Sequence, residues 1–259
     1  ATSMWDNASA ISNEGIEFEA QYDIIRKKNW NWSVGLNLSH NKNMLRKTYN
    51  GEDLNDKVLG RPVYGIYTFK DEGIVQKEED IPMYPNASGK LTPLYFQSVN
   101  NPLRVGGRKI KDQNYDGVID DKDLYYAGST LPAVYGGLNS HLEWKGLSFD
   151  VLFSYTIGRK VMNMYKNSAF TFTKDFGVIM NYFHANDFWT PDNRGAKYPS
   201  LEFADKDYIG QFDGNVDSNI ENISFLRLKQ LVIGYQFPKT WLKGTFIKDA
   251  NIYLSGENL

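Results

Sequence analysis

The sequence lacks cysteine, long apolar runs and a marked net charge, and these absences narrow the possibilities. No stretch of about 18 consecutive apolar residues occurs in the 259 residues, which excludes a helical membrane protein. The formal charge of −2 gives no basic surface for nucleic acid, so nucleic acid is excluded as a partner. The absence of Cys suits a bacterial envelope protein and many cytosolic proteins equally, and it does not decide the compartment.

The strongest positive pattern is strict alternation of apolar and polar residues. From Ile16 to Ile24, every second residue is apolar and the residues between are polar or acidic. A period of two places the two sets on opposite faces of one β-strand. Aromatic residues make up 15% of the chain, which also suits strands. The strands predicted in this way lie near residues 14–26, 30–42, 136–144, 147–158, 222–237 and 250–258.

Local features define how these strands connect. Lys145 and Gly146 separate two alternating runs, and this spacing predicts a hairpin with a tight two-residue turn. Leu226 and Leu228 have one parity, whereas Leu231 and the apolar residues after it have the other. A β-bulge near residues 229–230 would bring both sets to one face.

The lengths of the runs and of their connections favour a membrane barrel over a soluble sandwich. Runs of about ten residues match tilted membrane strands, whereas ordinary strands have about five or six. Short turns alternate with two long connections, as in outer-membrane barrels. Trp30, Trp32 and Trp144 near the turns are expected in an aromatic girdle. The predicted fold is therefore all-β: an antiparallel transmembrane β-barrel fragment of about six strands, with extracellular loops at 43–133 and 159–221.

One loop segment has the spacing of a calcium site. Oxygen donors stand at positions one, three and five of a twelve-residue loop, Gly117 is at position six and an aspartate closes it. The predicted ligands of a structural Ca²⁺ ion are Asp112, Asn114, Asp116, the Val118 carbonyl, Asp120 and Asp123. The closing residue is Asp and not the usual Glu, so its reach is shorter. The alternative is a surface turn held by its own side-chain hydrogen bonds.

No arrangement of residues predicts catalysis, and we expect no enzyme. His40, His141 and His184 are scattered, and His141 falls on a predicted polar strand face, so a polar wall residue is favoured over a zinc ligand. Adjacent acids such as Glu78–Asp80 are expected to be solvated loop charge. No phosphate-binding loop or nucleophile elbow occurs.

Aromatic residues also cluster in the second long loop. Tyr182, Phe183 and Tyr198 flank the segment from Asp187 to Asn193. Exposed rings could stack on sugars, but loop aromatics more often pack into a small core of the loop itself. We expect the second arrangement.

Taken in order, several short motifs resemble the C-terminal part of the barrel of SusC/RagA-type TonB-dependent transporters. The motifs are Asn13–Glu17, Trp30–Trp32 with Asn37–Asn41, Gly60–Gly65, Gly73–Ile74, Asp112–Asp123, Leu131–Pro132 with Gly136–Gly137, Phe188–Asp192, Leu226–Lys229 with Gly234–Tyr235, and Ser255–Leu259. Each motif is short, but their order is specific, and together they cover nearly the whole chain.

The resemblance implies TonB-dependent import of oligosaccharides or peptides across the outer membrane of a Gram-negative, Bacteroidetes-type bacterium. It further implies a 22-stranded barrel with an N-terminal plug, a SusD-like surface lipoprotein as lid, and coupling to the TonB complex through the N-terminal part. Plug, earlier strands and closing strands are expected to lie outside this sequence. The alternative reading is a secreted β-rich glycan-binding module or glycoside hydrolase with structural calcium.

Overall fold

The protein is built almost entirely from β-strands. The structure, a computed structural model, describes residues 9–53, 57–166, 183–204, 210–211 and 214–259. Its strands are β1 (Ala10–Lys27), β2 (Trp30–Lys47), β3 (Gly65–Thr68), β4 (Asp71–Ile74), β5 (Met83–Pro85), β6 (Leu91–Pro93), β7 (Tyr95–Phe96), β8 (Arg108–Ile110), β9 (Val118–Ile119), β10 (Tyr125–Ser129), β11 (Val134–Trp144), β12 (Leu147–Ile157), β13 (Lys160–Met162), β14 (Ile220–Asn222), β15 (Phe225–Gln236) and β16 (Asn251–Glu257).

Helical structure is limited to short turns in the described residues. An α-helical turn, α1, covers Lys239–Leu242. The 3-10 turns are Glu78–Asp80, Asp121–Asp123, Ala185–Asp187, Leu201–Ala204 and Asp217–Asn219. Within the ranges given above, none of the helices is long and apolar enough to cross a membrane.

The six long strands form one open antiparallel sheet, which we call the wall. Its order is β1, β2, β11, β12, β15 and β16. The six strands therefore stand in the sheet in the same order in which they occur along the chain. The predicted all-β fold with about six long antiparallel strands is thus confirmed. The small sheets made by the other strands all lie in the long connections.

Two strands are longer than the alternation predicted. β1 begins at Ala10 and β2 ends at Lys47, so residues 43–47, expected in the first loop, belong to the wall. Apolar alternation stops there, but the ladder continues because polar side chains pair across it. Asn43 Nδ2 donates to Asn13 Oδ1 at 2.7 Å, and Arg46 Nε donates to Ser12 Oγ at 2.8 Å.

The register places nearly all apolar wall residues on one face. Residues directly opposite each other in a ladder project to the same side. Phe18 is paired with Leu38, Leu36 with Leu138, and Phe149 with Ile233. The opposite face is polar. It carries the row formed by Asp23, Ser33, His141, Asp150, Val232 and Ser255.

A β-bulge in β15 keeps the apolar face continuous. Leu152 is opposite Gln230 and Phe153 is opposite Leu228, so Lys229 is the extra residue. Leu228 and the apolar residues that begin at Leu231 therefore project to one side, although their sequence parities differ. The bulge lies where the change of parity predicted it.

Three connections lie together at the same end of the wall strands, and this end forms an edge of the wall that runs across all six strands. β1 and β2 are joined by two residues, and β11 and β12 by Lys145 and Gly146. Lys145 has φ of 50° and Gly146 has φ of 88°, as two-residue hairpin turns of the favoured kind require. The third connection, residues 237–250, carries α1 between β15 and β16.

The two long connections, residues 48–133 and 158–224, pack against each other at the other edge, and we call their described part the loop lobe. Its main core contains seven apolar residues of the first connection together with Val216 of the second: Val75, Ile81, Leu94, Phe96, Leu103, Ile110 and Ile119. Such a shared core stabilises the described part of both connections.

Candidate functional site

The polar face of the wall carries a hydrogen-bonded cluster around His141. His141 Nδ1 lies 2.5 Å from Asp150 Oδ1, and its Nε2 lies 3.5 Å from Glu143 Oε1. Asn31 Nδ2 donates to the other Glu143 oxygen at 3.3 Å. The histidine is therefore a polar wall residue with carboxylate partners, as its strand parity predicted. A polar face of this kind suits the inside of a channel.

The other two histidines lie elsewhere. His40 Nδ1 lies 2.6 Å from the carbonyl oxygen of Ala133, near the loop-lobe edge of the wall. His184 precedes the 3-10 turn Ala185–Asp187 in the second connection, and its backbone N–H donates to Asp187 Oδ2. The acidic segment Glu78–Asp80 forms an exposed 3-10 turn without buried residues. The structure does not gather these residues into a common site.

The Asp112–Asp123 segment folds into a compact loop around two buried carboxylates. Asp112 accepts hydrogen bonds from the N–H groups of Tyr115 at 2.6 Å and Gly117 at 2.9 Å. Asp123 accepts from the N–H groups of Gln113 at 2.7 Å and Asp120 at 2.9 Å, and so joins the two ends of the loop. Gly117 has φ of 85°, which explains why glycine stands at this turn.

The other predicted ligand side chains also accept hydrogen bonds from backbone N–H groups of the loop, but these bonds are exposed to solvent. Asn114 Oδ1 accepts from the Asp116 N–H, and Asp116 Oδ1 accepts from the Val118 N–H. Val118 itself belongs to β9, which pairs with β7. Asp120 Oδ1 accepts from the Lys122 N–H.

Burial and neighbouring charges shift the pKa values of groups in this loop. Burial raises the pKa of the Asp123 carboxyl, hydrogen bonds from the Asp120 and Gln113 backbones oppose that rise, and the nearby Asp112 carboxylate adds to it. Burial and the Asp112 carboxylate raise the pKa of Tyr84 to about 12. The Lys122 ammonium lies 3.6 Å from Asp120 Oδ2 and 4.0 Å from Asp116 Oδ2.

The loop satisfies its own backbone donors without an ion. In the part of the chain that the structure describes, no three His, Asp or Glu side chains are grouped so that they could hold a metal ion. The hydrogen bonds are those of Asx-type turns, the alternative considered from the sequence. Each carboxylate oxygen has two acceptor sites, however, so one N–H donor does not exhaust its capacity. The oxygen donors are of the type that a hard cation takes, but in this structure they are turned toward backbone N–H groups and not toward one point.

A network of charged residues links the two long connections. Asp217 of the second connection accepts from Lys70 Nζ at 2.6 Å, from the Tyr125 hydroxyl at 2.7 Å and from the Asp71 N–H at 2.9 Å. Asp71 in turn pairs with buried Arg108 at 2.5 Å and accepts from the Ser218 hydroxyl at 2.6 Å. Sequence reasoning missed these residues because the partners of Asp217 stand between 92 and 147 positions away with no local motif.

Gln211 makes a second link between the connections. The side chain is fully buried, and its Oε1 accepts from the Arg104 N–H at 3.0 Å. Its Nε2 donates to Asn101 Oδ1 and to the Pro102 carbonyl. The Trp189 indole N–H adds a further contact by donating to Gln76 Oε1 at 3.0 Å. The loop lobe is thus one packed unit and not two independent loops.

The aromatic residues of the second connection form a small core. Phe183 makes edge contacts with Phe188 and Tyr198 at ring-centroid distances of 5.4 and 4.9 Å. Phe203 and Leu201 pack against the same cluster. This is the packing that the sequence favoured over stacking on a sugar. Tyr182 lies outside the described residues.

The wall and the loop lobe have counterparts among known proteins, although no family model matches the chain. The chain is 29% identical to TonB-dependent receptor P26 of Formosa agariphila over 99% of its own length and 25% of that protein's. It is 25% identical to TonB-dependent receptor SusC of Bacteroides thetaiotaomicron, over 94% of its length and 22% of that protein's. The resemblance to SusC/RagA-type TonB-dependent receptors is confirmed.

Solved structures give the same result at the level of the fold. The RagAB peptide importer in its closed-closed state matches 98% of the chain and 26% of the importer chain, at 24% identity and a TM-score of 0.66. The chain spans about a quarter of the length of the relatives it matches. The wall accordingly has the fold of one part of such a β-barrel.

These relatives also bear on location and class. TonB-dependent receptors of the SusC and RagA type are outer-membrane proteins of Gram-negative bacteria, so the predicted localisation is confirmed. They are receptors and transporters rather than enzymes, in agreement with the lack of a catalytic arrangement in the sequence.

Proposed function

We propose that this chain forms one stretch of barrel wall and two outward loops of a TonB-dependent importer of oligosaccharides or peptides. The observation that carries the proposal is the two-faced wall. One face is mainly apolar across six strands and suits lipid, whereas the other holds the His141 cluster and suits an aqueous interior. The names of the relatives, a receptor that depends on TonB and a peptide importer, support the same assignment.

The proposal includes an orientation. The edge with the short connections faces the periplasm, and the loop lobe faces outward, where it contacts cargo or a SusD-like lipoprotein. Short periplasmic turns and long external loops are the rule in bacterial outer-membrane barrels. The packed core of the loop lobe supports this role, because a rigid surface loses less conformational entropy when it binds a partner. TonB coupling is assigned to parts of the protein beyond these strands.

The alternative, a secreted glycan-binding module or hydrolase, is less well supported. A soluble sandwich buries the apolar face of its sheet against a second layer. In the described part of this chain, Phe18, Leu36 and Leu138 on that face are exposed to a large extent.

Uptake by cells tests the transport proposal. Cells with and without the gene for the full-length protein are supplied with fluorescently labelled oligosaccharides or with labelled peptides. We expect deletion to abolish uptake of one of the two classes and leave the other unchanged, which would also identify the cargo. The proposal is contradicted if cells that lack the gene take up all the labelled oligosaccharides and all the labelled peptides normally. It is also contradicted if the native protein is recovered in the soluble fraction without detergent.

We also infer that the Asp112–Asp123 loop binds Ca²⁺ and is ordered by it. The carboxylates of Asp112, Asp116, Asp120 and Asp123, the Asn114 amide oxygen and the Val118 carbonyl supply the hard oxygen ligands that this ion prefers. Support comes from the buried position of Asp112 and Asp123 and from the attraction of Lys122 to the exposed carboxylates. The ion neutralises mutual repulsion among the carboxylates, and its role is structural.

Titration of the intact full-length protein with Ca²⁺ in a calorimeter tests this inference. Asp116→Asn keeps an oxygen acceptor for the Val118 N–H but removes one charge, so we expect Ca²⁺ affinity to fall at least tenfold. Asp121→Asn removes the same charge from an exposed neighbour outside the ligand set and should change affinity little. The loop is not a calcium site if the unmodified protein gives no calorimetric binding signal at millimolar Ca²⁺ and if chelation of Ca²⁺ leaves its unfolding temperature unchanged.

A further inference from the structure

The edge of the wall with the short connections has a net charge opposite in sign to that of the two long connections. The three connections and the last two residues of β1 contain seven basic side chains and one acidic side chain. Residues 48–133 and 158–224 contain 17 basic and 22 acidic side chains. Positive charge is therefore concentrated at this edge of the wall, although the net charge of the whole chain is close to zero. The basic residues are Arg26, Lys27, Lys28, Lys145, Lys239, Lys243 and Lys248.

An outward-facing row of large side chains runs along the same edge. The ladders place Lys27 opposite Trp30, Trp30 opposite Trp144, Trp144 opposite Leu147, Leu147 opposite Tyr235, and Tyr235 opposite Ile252. The row thus crosses all six strands on the apolar face of the wall. We call these six residues the edge belt.

One contact joins a basic residue to a ring of the edge belt, and ring contacts continue from the belt into the third connection. Lys145 Nζ lies 5.4 Å from the ring centroid of Trp144, so this ammonium is held at the outer face. Tyr235 packs edge-on against Phe237 at 5.3 Å, and Phe237 packs against Trp241 at 6.2 Å. Trp241 is 65% exposed and Phe246 is 96% exposed in the connection that also carries Lys239 and Lys243. Aromatic surface and basic residues therefore occur together at the Lys145 turn and in the third connection.

We propose that the edge belt and its neighbouring lysines bind the headgroups of anionic glycerophospholipids. Trp and Tyr rings favour the boundary between hydrocarbon and water, which fixes the level of the belt in the bilayer. At that level the lysines meet headgroup phosphates, and the field of an anionic leaflet attracts basic residues near its surface. The inference rests on the proposed placement of these strands as membrane wall.

The shape and position of the surface favour lipid over a protein partner. The belt is one residue deep and crosses all six strands, whereas a protein interface needs a patch with a buried centre. Its side chains project away from the polar face that holds the His141 cluster. A bilayer is the partner that meets every strand of a barrel at the same height.

Reconstitution of the full-length protein tests the proposal. Nanodiscs are prepared from phosphatidylethanolamine alone and from phosphatidylethanolamine mixed with phosphatidylglycerol, and phosphatidylglycerol retained by the protein is measured by native mass spectrometry. Each lysine near an anionic surface is worth about 1 kcal/mol, or about fivefold in affinity. We therefore expect Lys28→Gln/Lys145→Gln/Lys239→Gln to weaken retention about a hundredfold, and Lys145→Gln alone about fivefold.

A matched variant provides the control. Lys77→Gln/Lys90→Gln/Lys197→Gln removes the same charge from exposed residues of the loop lobe and should leave retention unchanged. Equal losses in the two triple variants, or undiminished retention in the belt variant, would overturn the proposal. Insertion into phosphatidylethanolamine without any preference for phosphatidylglycerol defeats only this inference. Failure to insert into either bilayer defeats the placement as membrane wall as well.

Discussion

The wall and the loop lobe place their apolar residues in opposite ways. The loop lobe has a protein-like core, in which side chains such as Leu94, Phe96 and Val216 are buried among each other. The wall has comparable apolar residues, but Phe18 and Leu138 project outward and remain exposed. The lobe therefore obtains hydrophobic stabilisation from its own chain, whereas the wall must obtain it from a bilayer.

The largest expected effect concerns the lobe core. Phe96 is 2% exposed and packs in the main cluster, so Phe96→Ala leaves a cavity and should cost about 3 to 5 kcal/mol of lobe stability. Hydrogen exchange of lobe amides in the full-length protein measures the loss. Tyr49→Ala, at a residue of the same connection that is 70% exposed, should change exchange little. Equal exchange in the two variants would mean that the lobe does not depend on its core.

A neighbouring pair of residues tests the two faces of the wall. Val151 is on the apolar face and Leu152, which is 39% exposed, is on the polar face. Val151→Arg should cost about 2 to 4 kcal/mol if the residue lies near the bilayer midplane, whereas Leu152→Arg should cost clearly less. Urea unfolding of the full-length protein from lipid vesicles gives both values. A reversed order of costs would reverse the assignment of the faces.

The same contrast explains what the sequence could predict. Strand positions and faces follow from a period of two, which is a local property, and even the bulge at Lys229 could be read from a change of parity. The extra length of β2 could not be read, because Asn43 and Arg46 pair through polar groups that leave no alternation. Strand ends are set by cross-strand partners, and a single strand does not contain them.

The candidate site was predictable to a smaller extent. The Asp112–Asp123 loop is a short contiguous motif, and its carboxylates accept hydrogen bonds from backbone N–H groups of the same segment. The joint at Asp217 depends on Lys70 and Tyr125, which are far away in the chain and are of residue types common on any surface. Only the packing of one long connection on the other brings such residues together, and composition does not encode that packing.

The smallest expected effect concerns this joint and its dependence on pH. Burial alone would raise the pKa of Asp217, but hydrogen bonds from Lys70, the Asp71 N–H and Tyr125 outweigh it and hold the pKa below its usual value. A depressed pKa in the folded state adds stability above the unfolded pKa of about 4, and this contribution is lost as the pH falls through the folded value.

Acidification should therefore loosen the loop lobe where Asp217 joins the two long connections. Asp217→Asn keeps an acceptor for the Asp71 N–H but removes the charge, so it should cost about 1 kcal/mol at neutral pH and abolish this part of the acid response. Limited proteolysis of the full-length protein between neutral pH and pH about 3 follows the opening of the lobe. An unchanged acid response in Asp217→Asn would show that this carboxylate is not the source of the sensitivity.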